Sequence, residues 1–145
     1  MEVAIMRQYG IILPARGRLF MNKVIIYDFG PVREVSVDLE KNMQVFIGPQ
    51  ASGKSTVCKV IYFCQKIRDY TLNFLMESEQ FVDNHKNEYF SNYMKYLTRQ
   101  FIGCFGKTTH MRKFTIEHKF GGKRITIKLN KDGYVRFGFD DELKS

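Results

Sequence analysis

Residues 48–55 read Gly-Pro-Gln-Ala-Ser-Gly-Lys-Ser, a complete GxxxxGK[ST] pattern, and few segments of this size restrict a fold so tightly. The pattern works as a tight turn between a strand and a helix, with glycine where the backbone takes conformations that other residues resist. In such a turn successive backbone N–H groups converge into a nest that fits phosphate oxygens. Lys54 can then reach the outer phosphates, and the Ser55 hydroxyl can ligate Mg²⁺. The following helix aims the positive end of its dipole at the same anion. The flanks agree with this placement. Met43-Gln44-Val45-Phe46-Ile47 is short and apolar and predicts the strand, and Val57, Val60, Ile61 and Cys64 recur at helical spacing after the loop.

A chain of 145 residues is long enough for one domain with a real core, and 44% hydrophobic with 14% aromatic residues is a globular composition. No apolar run approaches the length of a membrane span. The stretch Tyr9–Ala15 is too short, and too interrupted by Gly10 and Pro14, to make a signal peptide. Cys58, Cys64 and Cys104 are odd in number and lack CxxC spacing, which argues against a disulfide framework or a zinc site. Buried, reduced thiols in a cytoplasmic protein are expected. Of the net charge of +8, most sits in residues 107–131, where eight basic side chains face Glu117 alone.

Met21–Phe29 predicts a strand closed by a turn at Gly30-Pro31, and Val35, Val37 and Leu39 alternate with Ser36 and Asp38 in a second. The two form a hairpin leading into the strand before the loop. Met21 also reads as a natural start, leaving residues 1–20 as an extension with little fixed structure or as an extra strand. The loop helix runs from Gly53 or Lys54 past Arg68 and continues through Tyr70, Leu72, Phe74 and Leu75. A break at Asp83-Asn84-His85 separates it from a second helix carrying Phe90, Tyr93, Met94, Leu97, Phe101 and Cys104 on a core-facing side, ending near Gly103 or Gly106. Beyond it, Phe114, Ile116, His118 and Phe120, then Ile125, Ile127 and Leu129, then Val135, Phe137 and Phe139 alternate with polar residues around turns at Gly121-Gly122 and Asn130–Gly133. These predict a three-strand antiparallel meander with one greasy and one basic face. His118 falls on the greasy phase and reads as a satisfied core residue. None of His85, His110 and His118 has metal-ligand spacing.

The run Tyr27-Asp28-Phe29-Gly30-Pro31-Val32-Arg33-Glu34, followed by Val45 to Thr56, resembles the N-terminal lobe of ABC-type ATPases, nearest the RecF, SMC and OLD-nuclease group also labelled AAA-like. The resemblance covers residues 21–66 in motif and the remainder in architecture. It implies an α/β fold with α+β character: a β-hairpin, the phosphate loop and its helix, a helical insert and the antiparallel meander. Residues 21–145 then form a single partial P-loop NTPase domain. It implies ATP contacts from Gly48, Pro49, Gln50, Ala51, Ser52, Gly53, Lys54, Ser55 and Thr56, with Lys54 on phosphate and Ser55 on Mg²⁺. It also implies a missing or separate C-terminal lobe and a homodimer formed through nucleotide. This sequence departs from the family in lacking a convincing Q-loop glutamine, signature motif, Walker B Asp-Glu or switch histidine. The one Walker B lookalike, Phe137-Gly138-Phe139-Asp140-Asp141-Glu142, is interrupted like the neighbouring meander strands and reads as an acidic strand end. No catalytic acid or base is identified, so binding without efficient hydrolysis is expected.

Lys113, Lys119, Arg124 and Lys128 on the basic face invite a nucleic-acid reading, since clustered cations release counterions from a phosphate backbone. An ordinary solvated sheet face gives the same pattern. Two other classes remain open: a P-loop kinase acting on a small acceptor, and a non-catalytic DNA- or protein-binding module with a vestigial loop.

Overall fold

The computed structural model describes residues 22–41, 43–78 and 86–140. The extension at 1–20, the break at Asp83–His85 and the acidic pair Asp141-Glu142 lie outside the described residues. The elements, in chain order, are β1 (Lys23–Phe29), β2 (Val32–Asp38), α1 (Lys54–Ser78), α2 (Lys86–Phe105), β3 (Thr115–Phe120), β4 (Lys123–Leu129) and β5 (Val135–Phe139). Both helices, the hairpin and the meander are where the periodicity places them.

The strands form one sheet in the order β2-β1-β3-β4-β5, with every neighbouring pair antiparallel. Hairpin and meander are thus a single layer, joined where β1 pairs β3 with Ile26 opposite Ile116. The class is α+β, the character expected within the α/β reading, with every strand pair among the described residues antiparallel. The predicted strand at Met43–Ile47 does not form: residues 43–48 carry no strand pairing. Phe46 packs against the core, while Met43, Val45 and Ile47 are 71%, 43% and 52% exposed. A strand exists only by pairing its backbone with a neighbour, and none lies alongside this segment among the described residues.

Register explains the core. Val35, Ile26, Ile116, Ile127 and Phe137 stand opposite one another in a row across all five strands. Val37, Val24, His118, Ile125 and Phe139 make the next row. Both rows meet Val57, Val60, Phe63 and Ile67 of α1 and Leu97 and Phe101 of α2. Burying each such aliphatic or aromatic side chain contributes roughly 1.5–3 kcal/mol. Thr71 and Tyr93 hydroxyls, 2.6 Å apart, tie α1 to α2.

One break in alternation shapes the hairpin. Asp28 has φ of +53°, so β1 loses its two-residue phase and Phe29 turns inward, 1% exposed. Its ring meets Phe101, Phe105 and Phe114 at 5.9, 5.1 and 4.9 Å. The tip that follows is a two-residue turn, Gly30-Pro31, with Gly30 at φ of +56° as a II′ turn requires at its first central position.

His118 is buried but only half satisfied. Nε2 lies 3.1 Å from the Asn22 Oδ1, and Nδ1 has no partner. Burial pushes its pKa down from 6.5 to about 4, so the folded state holds the ring neutral. Between those values the unfolded chain binds a proton that the folded chain does not. Stability from this group is therefore complete above pH 6.5 and declines by up to ~3 kcal/mol as pH falls to about 4. Denaturant melts from pH 7 to 4 should show that slope, and His118→Leu should flatten it.

The three thiols do not share one environment. Cys64 is buried, and burial pushes its pKa up to about 12; Cys104 is half-buried. Cys58 is exposed, which corrects the expectation of a buried thiol. It lies on α1 one residue after the buried Val57 and so turns away from the sheet.

Candidate phosphate-binding site

The loop at 48–53 leads directly into α1, whose first residue is Lys54. Ala51 and Gly53 have φ of +61° and +93°, which bends the backbone twice in the left-handed sense within three residues. Ser52 N–H donates to Pro49 C=O at 3.4 Å inside this bend. Alternation of this kind turns successive N–H groups to one side. The first helical bond runs from Val57 N–H to Gly53 C=O at 2.9 Å, so the N–H groups of Lys54, Ser55 and Thr56 precede it and lack intrahelical acceptors. The first turn carries no acidic side chain to compete for them.

Lys54 folds back over the loop. Its Nζ donates to Gly48 C=O at 2.7 Å, to Pro49 C=O at 2.5 Å and to Ser52 Oγ at 3.2 Å. The ammonium has three protons and meets three acceptors here. All three are neutral oxygens of the loop itself, so among the described residues the positive charge is held at the mouth without an ion-pair partner. Gln50, Ala51 and Ser55 are exposed around it, Thr56 is half-buried, and Gly53 alone is buried.

What buries Gly53 is the β1–β2 tip. A Cβ at Gly53 would lie 2.7 Å from Val32 Cγ2 and 3.2 Å from Pro31 Cγ. Sequence reasoning placed Gly30-Pro31 as a strand-ending turn and missed that Pro31 and Val32 floor the loop. The signal was present, because the same Phe29-Gly30-Pro31 run carries the family resemblance.

Three of the four basic side chains share the outer face of the sheet, where Lys119 stands opposite Arg124 across β3 and β4 and Lys128 lies on the same side of β4. Lys113 stands before β3, its Nζ 3.2 Å from the Asp28 carboxylate. Lys119 is 3.2 Å from Glu117, and Arg124 is 3.6 Å from Asp140. Register also sets Lys23 opposite Asp38, and Tyr27 opposite Glu34, on that outer face. Lys128 and Arg136 face each other across β4 and β5 with no ion pair among the described residues. Asp140, the first acid of the Walker B lookalike, follows the edge strand β5, three strand spacings or roughly 14 Å across the sheet from β1. It pairs with Arg124 near the β3–β4 turn, whereas the loop rests on the opposite, Gly30-Pro31 end of β1. No group of three or more His, Cys, Asp or Glu residues among the described residues could hold a metal ion.

The sequence model of the AAA_15 family, described as an AAA ATPase domain, matches residues 20–139. The chain therefore belongs to the AAA ATPase domain family. No curated protein and no solved structure matches it. Among the described residues no helix is long and apolar enough to cross a membrane.

Proposed function

We propose that the chain binds a nucleoside triphosphate, ATP by its family, through Gly48–Thr56, and acts as the N-terminal lobe of an ABC-type ATPase of the RecF, SMC and OLD-like kind. The observation that carries this reading is the Lys54 ammonium, poised on the Gly48 and Pro49 carbonyls at the N-terminus of a helix with no acid in its first turn. Phosphate oxygens are stronger acceptors than those carbonyls, so Lys54 exchanges one set for the other without leaving its place. The amides of Lys54, Ser55 and Thr56 donate to the same anion, and the Ser55 hydroxyl takes Mg²⁺.

Hydrolysis needs an acidic group to hold the metal and orient water. Asp140 is at the wrong end of the sheet, so that group comes from a further lobe or a second subunit. Support lies in the apolar run Met43–Ile47, where Phe46 packs against the core while Met43, Val45 and Ile47 are exposed. Strands buried on both faces show this pattern. Nucleotide-dependent pairing of two such lobes fits the same reading.

Calorimetric titration of Mg-ATP tests it. The chain should bind, Lys54→Ala should weaken binding by about 100-fold or more, and removing Mg²⁺ should weaken it less. Equal affinity in Lys54→Ala would leave the vestigial-loop reading in its place.

A further inference from the structure

The loop's shape is set from outside the loop. Val32 and Gly53 are both buried, while most of the loop's rim is open. Val32 Cγ2 lies so close that any side chain at Gly53 would collide with it, and a Cβ added at Gly30 would lie 4.0 Å from Thr56 Cγ2. A branched valine has little rotamer freedom, so this contact is stiff. The tip is in turn fixed from behind. Phe29 is clamped among Phe101, Phe105 and Phe114, and the Asp28 carboxylate is 3.2 Å from Lys113 Nζ.

We infer that Val32 is a positioning residue for the phosphate site: it presses on Gly53 and holds the amides of Gly53–Thr56 converged before any ligand arrives. A site shaped in advance binds more tightly, because the ordering cost is not drawn from the binding energy. Pro31 has a supporting part, with its ring against the other side of Gly53. The affinity consequence rests on the nucleotide-binding reading; the consequence for loop order does not.

Three variants of the full chain test this, by Mg-ATP titration, thermal melting and amide hydrogen exchange. Val35→Ala is the reference, since Val35 is also a buried β2 valine but lies in the core row opposite Ile26. Val32→Ala should lose about tenfold in ATP affinity and, by loosening Gly53, speed exchange of the Val57 amide that is bonded to Gly53 C=O by a similar factor. Val35→Ala should lower the melting temperature comparably yet leave affinity within about twofold. Val32→Ile, which keeps Cγ2, should restore both readouts. Affinity that simply follows melting temperature across the two alanine variants would overturn the inference, as would unchanged exchange of the Val57 amide in Val32→Ala. Should the unaltered chain bind no ATP, the nucleotide reading fails on its own, and the exchange comparison alone decides the role of Val32.

Discussion

Gly53→Ala is expected to abolish nucleotide binding and to cost the fold about 2–5 kcal/mol, which combines left-handed strain with overpacking. The backbone there has φ of +93°, and the added methyl would sit 2.7 Å from Val32 Cγ2 and 3.6 Å from the Val32 backbone nitrogen. Neither neighbour can swing aside as the end of a long side chain could. Gly103 gives the opposite sign. It lies inside α2, and a methyl group added there would meet nothing within 4 Å. Gly103→Ala should therefore stabilise by about 0.5–1 kcal/mol through helix propensity. Urea denaturation of both variants checks the pair, and a destabilised Gly103→Ala would show that the helix end is held differently.

Phe101→Ala should be the most damaging core substitution, at about 3–5 kcal/mol. Phe101 is fully buried and lies within 4.6–6.3 Å, centroid to centroid, of Phe29, Phe63, Phe105, Phe114 and Phe137. It thus joins α1, α2, the hairpin and the meander at one point. A domain of this size has about 5–15 kcal/mol in all, so the loss is a large fraction of the total. Phe101→Leu keeps most of the volume and should lose much less. Circular dichroism melts of the two separate cavity formation from loss of ring packing.

The elements whose order depends on neighbours close in sequence were legible. Amphipathic spacing from Val57 to Cys64 gave α1, and strict alternation from Phe114 to Phe139 gave the meander with its turns. The phosphate loop was legible because its chemistry is written in consecutive residues. Contacts between distant segments were not. The β1–β3 pairing joins residues about 90 positions apart, and nothing local in either strand names the other. The left-handed turn at Asp28 is a single-residue event that inverts the inward phase at Phe29, and periodicity has no means to register it. The short apolar run at Met43–Ile47 states only a readiness to pair, and pairing needs a second strand. The basic side chains could be counted, but their carboxylate partners became visible only once register brought Asp140 to Arg124 and folding brought Asp28 to Lys113.

The measurement closest to the central claim is a ¹H–¹⁵N titration of the labelled chain with Mg-ATP. Amide shifts concentrated at Gly48–Val57, largest at Gly53 and Lys54, are the predicted result. Shifts that instead gather on the outer face around Lys119, Lys128 and Arg136, or none at saturating nucleotide, would contradict it.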